Sequence, residues 1–131
     1  MGQVARAEIP YKFPSFNEYI RVNRGYKGNY TGAKLKSEIE RNIAYALKDL
    51  PVFARPVVIN LTWVEGNMKR DWDNVIYAKK FIVDALVAIG KLSDDGRKYV
   101  RGYSDYYAYE KGIWKVIVEI KEIDEEGAYE I

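Results

Sequence analysis

The stretch Lys69-Arg70-Asp71-Trp72-Asp73-Asn74 sets two carboxylates two residues apart. On an extended chain, side chains alternate, so Asp71 and Asp73 point to the same side. Two like charges held that close cost free energy unless a cation bridges them or one takes a proton. Downstream, Asp73, Tyr77, Lys80 and Asp84 follow at intervals of four, three and four. At about 100° per residue these positions form one stripe of a helix. Asp94 and Asp95, in Ser93-Asp94-Asp95-Gly96, add a third acidic element. The chain has no cysteine and no histidine. Thiolate zinc, a Ser-His-Asp triad, a histidine base and His-ligated metals are therefore excluded. Oxygen ligation remains, which suits Mg²⁺ or Mn²⁺. Such ions neutralise a scissile phosphate, generate hydroxide and stabilise the leaving oxygen, and Lys80 adds positive charge at the transition state. Each element also has a purely structural reading. Asp73 or Asn74 can cap a helix, Lys80–Asp84 can be an ordinary i,i+4 pair, and Asp94-Asp95-Gly96 can be a turn.

The elements that must position these residues follow from periodicity. With 131 residues, the chain suits a single domain over 1–131. Hydrophobic residues make up 48% and charged residues 31%, enough to bury a core. The order expected is β-α-β-α-β-β, an α+β domain with a small mixed sheet and two helices packed on it. Ala7–Phe13 reads as a strand stopped by Pro14. Residues 21–32 hold three glycines and no apolar period, which predicts a basic, aromatic loop. Leu35, Ile39, Ile43 and Leu47 mark an amphipathic helix over 33–50. Val57–Val64 is a β-branched strand with Val57, Ile59, Leu61 and Trp63 on one face. A second helix starts at Asp73 or Asn74, runs to about Ile89 and ends at Gly90. Its apolar face, Val75, Ala78, Ile82, Ala85, Leu86 and Ile89, lies opposite the polar stripe. Tyr99–Tyr109 and Ile113–Lys121 read as a hairpin around Lys111-Gly112. If the chain runs back along the sheet after Gly90, Asp94 and Asp95 meet Asp71 and Asp73 at one end of the helix.

Net charge is only +2, which excludes a generic polycationic coat but not a local basic patch. Residues 1–48 carry nine Lys/Arg against four Asp/Glu, a net of +5, and residues 119–131 carry one against six, a net of −5. Glu122-Ile123-Asp124-Glu125-Glu126-Gly127 reads as the start of a solvated acidic tail over 122–131. No apolar run approaches the roughly 18 residues of a membrane span, and no signal peptide opens the chain. A reducing cytoplasm and no membrane partner are expected.

Four pieces of the chain together resemble the RusA-type Holliday junction resolvases of phages and prophages. They are Pro14-Ser15-Phe16-Asn17, Arg70-Asp71-Trp72-Asp73-Asn74, Lys80 followed by Asp84-Ala85-Leu86, and Asp94-Asp95-Gly96. The resemblance spans about Glu8 to Glu122. It implies a homodimeric, Mg²⁺-dependent endodeoxyribonuclease that cuts four-way DNA junctions symmetrically in recombination and repair, in a bacterial cell. It implies that Asp71, Asp73 and Asp95 are the essential metal-binding aspartates, with Asp94 the alternative to Asp95, and that Lys80 is the essential lysine. Asn17, Asn74 and Asp84 are matched supporting positions. Between Asn74 and Asp84 the chain has a short insertion relative to the founding member. Counting back from Asp84 gives Lys80, with Lys79 in reserve, whereas counting forward from Asn74 gives Tyr77.

Junction arms need phosphate contacts. Arg21, Arg24, Lys27, Lys34 and Lys36, interleaved with Tyr26 and Tyr30, and Lys69 and Arg70 beside the aspartates, are the candidates. Tyr99, Arg101, Tyr103, Tyr107 and Tyr109 fall on one face of an extended segment and read as a core or dimer face. Two other functions stand beside resolution of junctions. One is a less selective branched-DNA or flap nuclease. The other is a non-catalytic DNA-binding module whose aspartates only cap and turn.

Overall fold

Alternation at Val57, Ile59, Leu61 and Trp63 does build the central strand, and all four side chains are buried. In the computed structural model, residues 2–24 and 31–123 are described. Their elements run β1 (Val4–Ile9), α1 (Phe16–Asn23), α2 (Gly32–Leu47), β2 (Val57–Glu65), α3 (Trp72–Ile76), α4 (Lys79–Ala88), β3 (Val100–Tyr109) and β4 (Lys115–Glu122). The sheet is mixed, in the order β1-β4-β2-β3. Strand β3 lies parallel to β2, and β4 is antiparallel to both β2 and β1. The α2 stripe Leu35, Ile39, Ile43 and Leu47 joins Val75, Ala78, Ile82 and Leu86 and the inner face of the sheet in one apolar core. The expected α+β class and mixed sheet are present. None of the described helices is long and apolar enough to cross a membrane.

Several boundaries differ from the sequence expectation. Strand β1 ends at Ile9, before Pro10, rather than running from Ala7 to Phe13. Phe13 instead folds into the core, edge-on to Tyr11 and Trp63. Arg21-Val22-Asn23, expected in a loop, is the last turn of α1. That helix starts at a capping box: Ser15 Oγ accepts from the Glu18 backbone N–H at 3.1 Å, and Glu18 Oε1 accepts from the Ser15 N–H at 3.0 Å. Residues 25–30, with Tyr26, Lys27 and Tyr30, lie outside the described residues.

The single helix expected from Asp73 to Ile89 is two, α3 and α4, separated at Tyr77-Ala78. The N-cap is Asp71 rather than Asp73 or Asn74. Its C-terminal end is as expected. Gly90 takes φ +79, Lys91 N–H bonds the Leu86 carbonyl at 2.9 Å, and Gly90 N–H bonds Val87 at 3.0 Å, a Schellman closure.

Strands β3 and β4 do not form a hairpin, because β2 lies between them. The α3–α4 crossover returns β3 parallel to β2 on its outer side, and the turn at Lys111-Gly112 then carries the chain past the end of β2. Glu110 and Gly112 N–H groups bond the carbonyls of Glu65 and Gly66, each at 3.0 Å. Glu122 is not part of a solvated tail. It is a buried strand residue whose carboxylate accepts backbone N–H groups of Gln3 (2.8 Å), Ala54 (3.0 Å) and Arg55 (3.2 Å). The rest of the expected tail, 124–131, lies outside the described residues.

Candidate functional site

The aspartate loop leaves the end of β2 and is clamped there. Arg70 Nε and Nη2 donate to the two oxygens of Glu65 at 2.8 and 2.7 Å. Its Nη1 donates to the Phe13 carbonyl, and the guanidinium lies 5.3 Å from the centre of the Trp114 ring. The side chains of Arg70 and Glu65 are only 13% and 5% exposed. Arg70, expected to bind DNA, is therefore committed to neutralising a buried carboxylate, which cannot stay charged and unpaired in the core. A Cβ on Gly66 would come within 2.5 Å of the Trp114 indole nitrogen, so this close approach requires glycine.

Two contacts tie the loop to the Pro14-Ser15-Phe16-Asn17 segment. Asn17 N–H donates to Asn74 Oδ1 at 3.3 Å, so Asn74 satisfies an orphan donor at the start of α1. The Tyr77 hydroxyl donates to the Pro14 carbonyl at 2.5 Å, and its ring packs with Phe16, Tyr19 and Phe81. Burial pushes the Tyr77 phenol far above the ordinary tyrosine value. Tyr77 is thus turned inward, and the expected row Asp73-Tyr77-Lys80-Asp84 is interrupted where the helix breaks.

Two clefts open between these helices and the β3 edge. The first, of about 520 Å³, is lined by Asp71, Trp72, Asp105, Tyr106, Tyr107 and Met68, with Arg70 at its side. The second, of about 470 Å³, is lined by Lys79, Lys80, Asp84, Asp95, Tyr103 and Tyr77, with Ile76 and Val83. An ion pair joins them: Lys79 Nζ of the second cleft lies 2.6 Å from Asp105 Oδ2 of the first. The other Asp105 oxygen accepts from the buried Trp63 Nε1 at 2.9 Å. Lys79 also lies 4.9 Å from the centre of the Tyr103 ring. Lys80 is different. Its side chain is 77% exposed and meets Asp84 only at 3.4 Å, a surface pair of small net worth.

Asp94 and Asp95 separate in role. Asp94 Oδ1 accepts the Asp95 backbone N–H at 2.9 Å and shapes the turn, while Asp95 lines the second cleft. Tyr103 reports the local field. Burial raises its phenol above the ordinary value, and the negative charges of Asp95 and Asp84 raise it further. The hydroxyl therefore stays protonated at neutral pH, available as a donor.

Asp71 thus lines the first cleft, Asp95 the second, and the exposed Asp73 neither. The expected convergence of Asp71, Asp73 and Asp95 is not found: among the described residues no group of three acidic side chains is placed to hold a metal. The reason is local. Asp71 is extended, with ψ 155, whereas Asp73 already sits in the first turn of α3, so strand alternation does not align them. The segment after Gly90 brings Asp95 beside Asp84 and Tyr103. Of the basic candidates, Arg21, Arg24, Lys34 and Lys36 are exposed around the end of α1 and the start of α2, and Lys69 is exposed beside the aspartate loop. Lys27 lies outside the described residues.

Asp105 is the site residue missing from the sequence expectation. It stands between Tyr103 and Tyr107 on β3, where these three pair in register with Leu61, Ile59 and Trp63 of the core strand. A charge in phase with core residues must have a partner, and that is the signal the sequence carries. No protein-family model matches the chain, and no curated protein matches it.

Proposed function

We propose that the chain is a divalent-metal-dependent endodeoxyribonuclease acting on branched DNA, with a homodimer resolving four-way junctions by paired symmetric cuts. The observation that carries this reading is the arrangement of Asp71, Asp105, Lys79, Asp84 and Asp95 along two clefts joined by one ion pair. The resemblance in the aspartate loop supports it, as does the exposed basic region at the α1–α2 end. The setting that accompanies it is recombination and repair in a bacterial cell, from a host or prophage gene.

The donor set is oxygen only, which fits Mg²⁺ or Mn²⁺. Mg²⁺ is commonly held by one or two carboxylates completed by water and substrate phosphate, so Asp71, with Asp105 lining the same cleft, would hold it, while Asp73 and Asp95 lie outside that cleft. When bound, the ion would offset phosphate charge and activate water. The chain's own groups do the remainder. Lys79, held by Asp105, presents a fixed positive charge between the clefts. Lys80, free to swing, can meet a phosphate from the solvent side. The protonated Tyr103 hydroxyl can donate to a phosphate oxygen. A two-fold dimer would match two such sites to the approximate two-fold symmetry of a junction.

The test is cleavage of a synthetic four-way junction beside linear duplex and flap DNA, with Mg²⁺ and with chelator. Junction cleavage that chelator abolishes supports the reading. Equal cutting of flaps and junctions points to a less selective nuclease. Junction binding without cleavage under Mg²⁺ or Mn²⁺ points to a non-catalytic DNA-binding module.

A further inference from the structure

The first cleft carries more exposed apolar surface than a metal site needs. Met68 is 72%, Tyr106 60% and Trp72 42% exposed, and all three line the same concavity. Large apolar side chains left in water around a concave surface mark a ligand site. The rings come from rigid elements, Trp72 from the first residue of α3 and Tyr106 and Tyr107 from β3. Trp72 meets Tyr107 edge-to-face, with centroids 5.5 Å apart at 75°, which fixes the indole plane.

The polar groups of the cleft narrow the ligand. The Asp71 carboxylate can only accept hydrogen bonds when ionised. Both oxygens of Asp105 already accept, from Lys79 and Trp63. Arg70, the cation at the side of the cleft, is bound to Glu65. Aromatic faces with a carboxylate acceptor and a committed cation give a phosphate no direct partner without a metal ion between them. They suit a flat, uncharged heteroaromatic group bearing N–H donors. We propose that the cleft between Trp72 and Tyr106 is a stacking site for an unpaired nucleobase at a DNA branch point. Bases in single strands stack on such side chains, and their edges find acceptors. Trp72 directly follows Asp71, so a base held there brings its strand beside the candidate acids. This stacking rests on the DNA-cleaving role proposed above, because the branch point is what supplies an unpaired base.

The experiment measures affinity, in chelator, for a four-way junction carrying one unpaired thymine at the branch point and for the same junction with an abasic residue there. The phosphate count is the same in both probes. Base–aromatic stacking contributes roughly 5- to 150-fold in affinity per base. Wild-type should bind the thymine probe tighter by a factor in that range. Trp72→Ala with Tyr106→Ala should erase the difference while leaving the abasic probe's affinity unchanged, and Trp72→Phe should retain most of it. Both rings are exposed, so far-UV circular dichroism of the variants should match wild-type. Equal wild-type affinity for the two probes, alongside chelator-sensitive junction cleavage, overturns the stacking site and leaves the nuclease reading standing. An equal loss for both probes in the alanine variant also overturns it. Absence of any wild-type junction binding removes both readings together.

Discussion

Asp105→Asn is the sharpest perturbation of the seam between the clefts. The substitution keeps the shape and an oxygen that can still accept from Trp63 Nε1, now at 2.9 Å. It removes the charge that faces Lys79 Nζ at 2.6 Å. The two side chains, Lys79 and Asp105, are 25% and 17% exposed, so neither charge is fully hydrated and neither is deeply buried. Breaking a fully buried pair costs about 3–5 kcal/mol, whereas an exposed pair contributes about 0–1 kcal/mol. Between these limits, Asp105→Asn should destabilise the fold by ~1–3 kcal/mol, read from urea midpoints by tryptophan fluorescence. Lys79→Met should cost less, because its stem already packs and its removal leaves a carboxylate still bonded to an indole. In a double-mutant cycle the two should couple by ~1–2 kcal/mol. Lys80→Met, on the neighbouring exposed lysine, should stay within about 0.5 kcal/mol of wild-type. Additive losses at Asp105 and Lys79, or a larger loss at Lys80 than at Lys79, would refute the reasoning and with it the joining of the clefts.

Other outcomes follow from named contacts. Arg70→Met leaves Glu65 buried without its partner and should cost about 3–5 kcal/mol in chemical denaturation, while the salt slope of DNA binding stays as in wild-type. Backbone N–H groups, that of Gln3 foremost and then those of Arg55 and Ala54, hold Glu122 below the ordinary value of 4.5. Its folded value lies below its unfolded one, so its stabilisation is complete above about pH 4.5 and fades as pH falls through the folded value. Glu122→Gln should therefore lower the urea midpoint at pH 7, and the gap to wild-type should narrow as the pH falls below about 4.5. Replacing the exposed Arg24 and Lys36 with Ala should flatten the slope of log K against log salt by roughly one unit for each phosphate no longer neutralised; an unchanged slope would place the DNA surface elsewhere.

How much of this is legible in the sequence depends on whether a residue's role is local. The α2 stripe and the β2 alternation are plain, because each buries a regular face in the core. Gly90 is plain because a left-handed cap favours glycine. Helix α1 is hidden by its brevity and by having only Val22 buried, although Ser15 and Glu18 spell its capping box. The break at Tyr77-Ala78 has no Pro or Gly to announce it; Tyr77 is drawn off the stripe by Pro14 and an aromatic cluster that are distant in sequence. Pairing of strands is a non-local choice, so β3 and β4, neighbours in sequence, read as a hairpin although β2 separates them. Glu122 is legible from phase, since Val116, Val118 and Ile120 place residue 122 inward. Asp105, in phase with Tyr103 and Tyr107, carries the same signal in the candidate site.

The most direct measurement of the central claim is the product pattern from a supercoiled plasmid bearing an extruded cruciform. With Mg²⁺, wild-type protein should convert it to linear molecules through paired cuts, chelator should stop the reaction, and Asp71→Asn should bind the cruciform without cutting it. An intact plasmid at saturating protein and Mg²⁺, or cutting that persists in chelator or in Asp71→Asn, would contradict a metal-dependent nuclease built on this cleft.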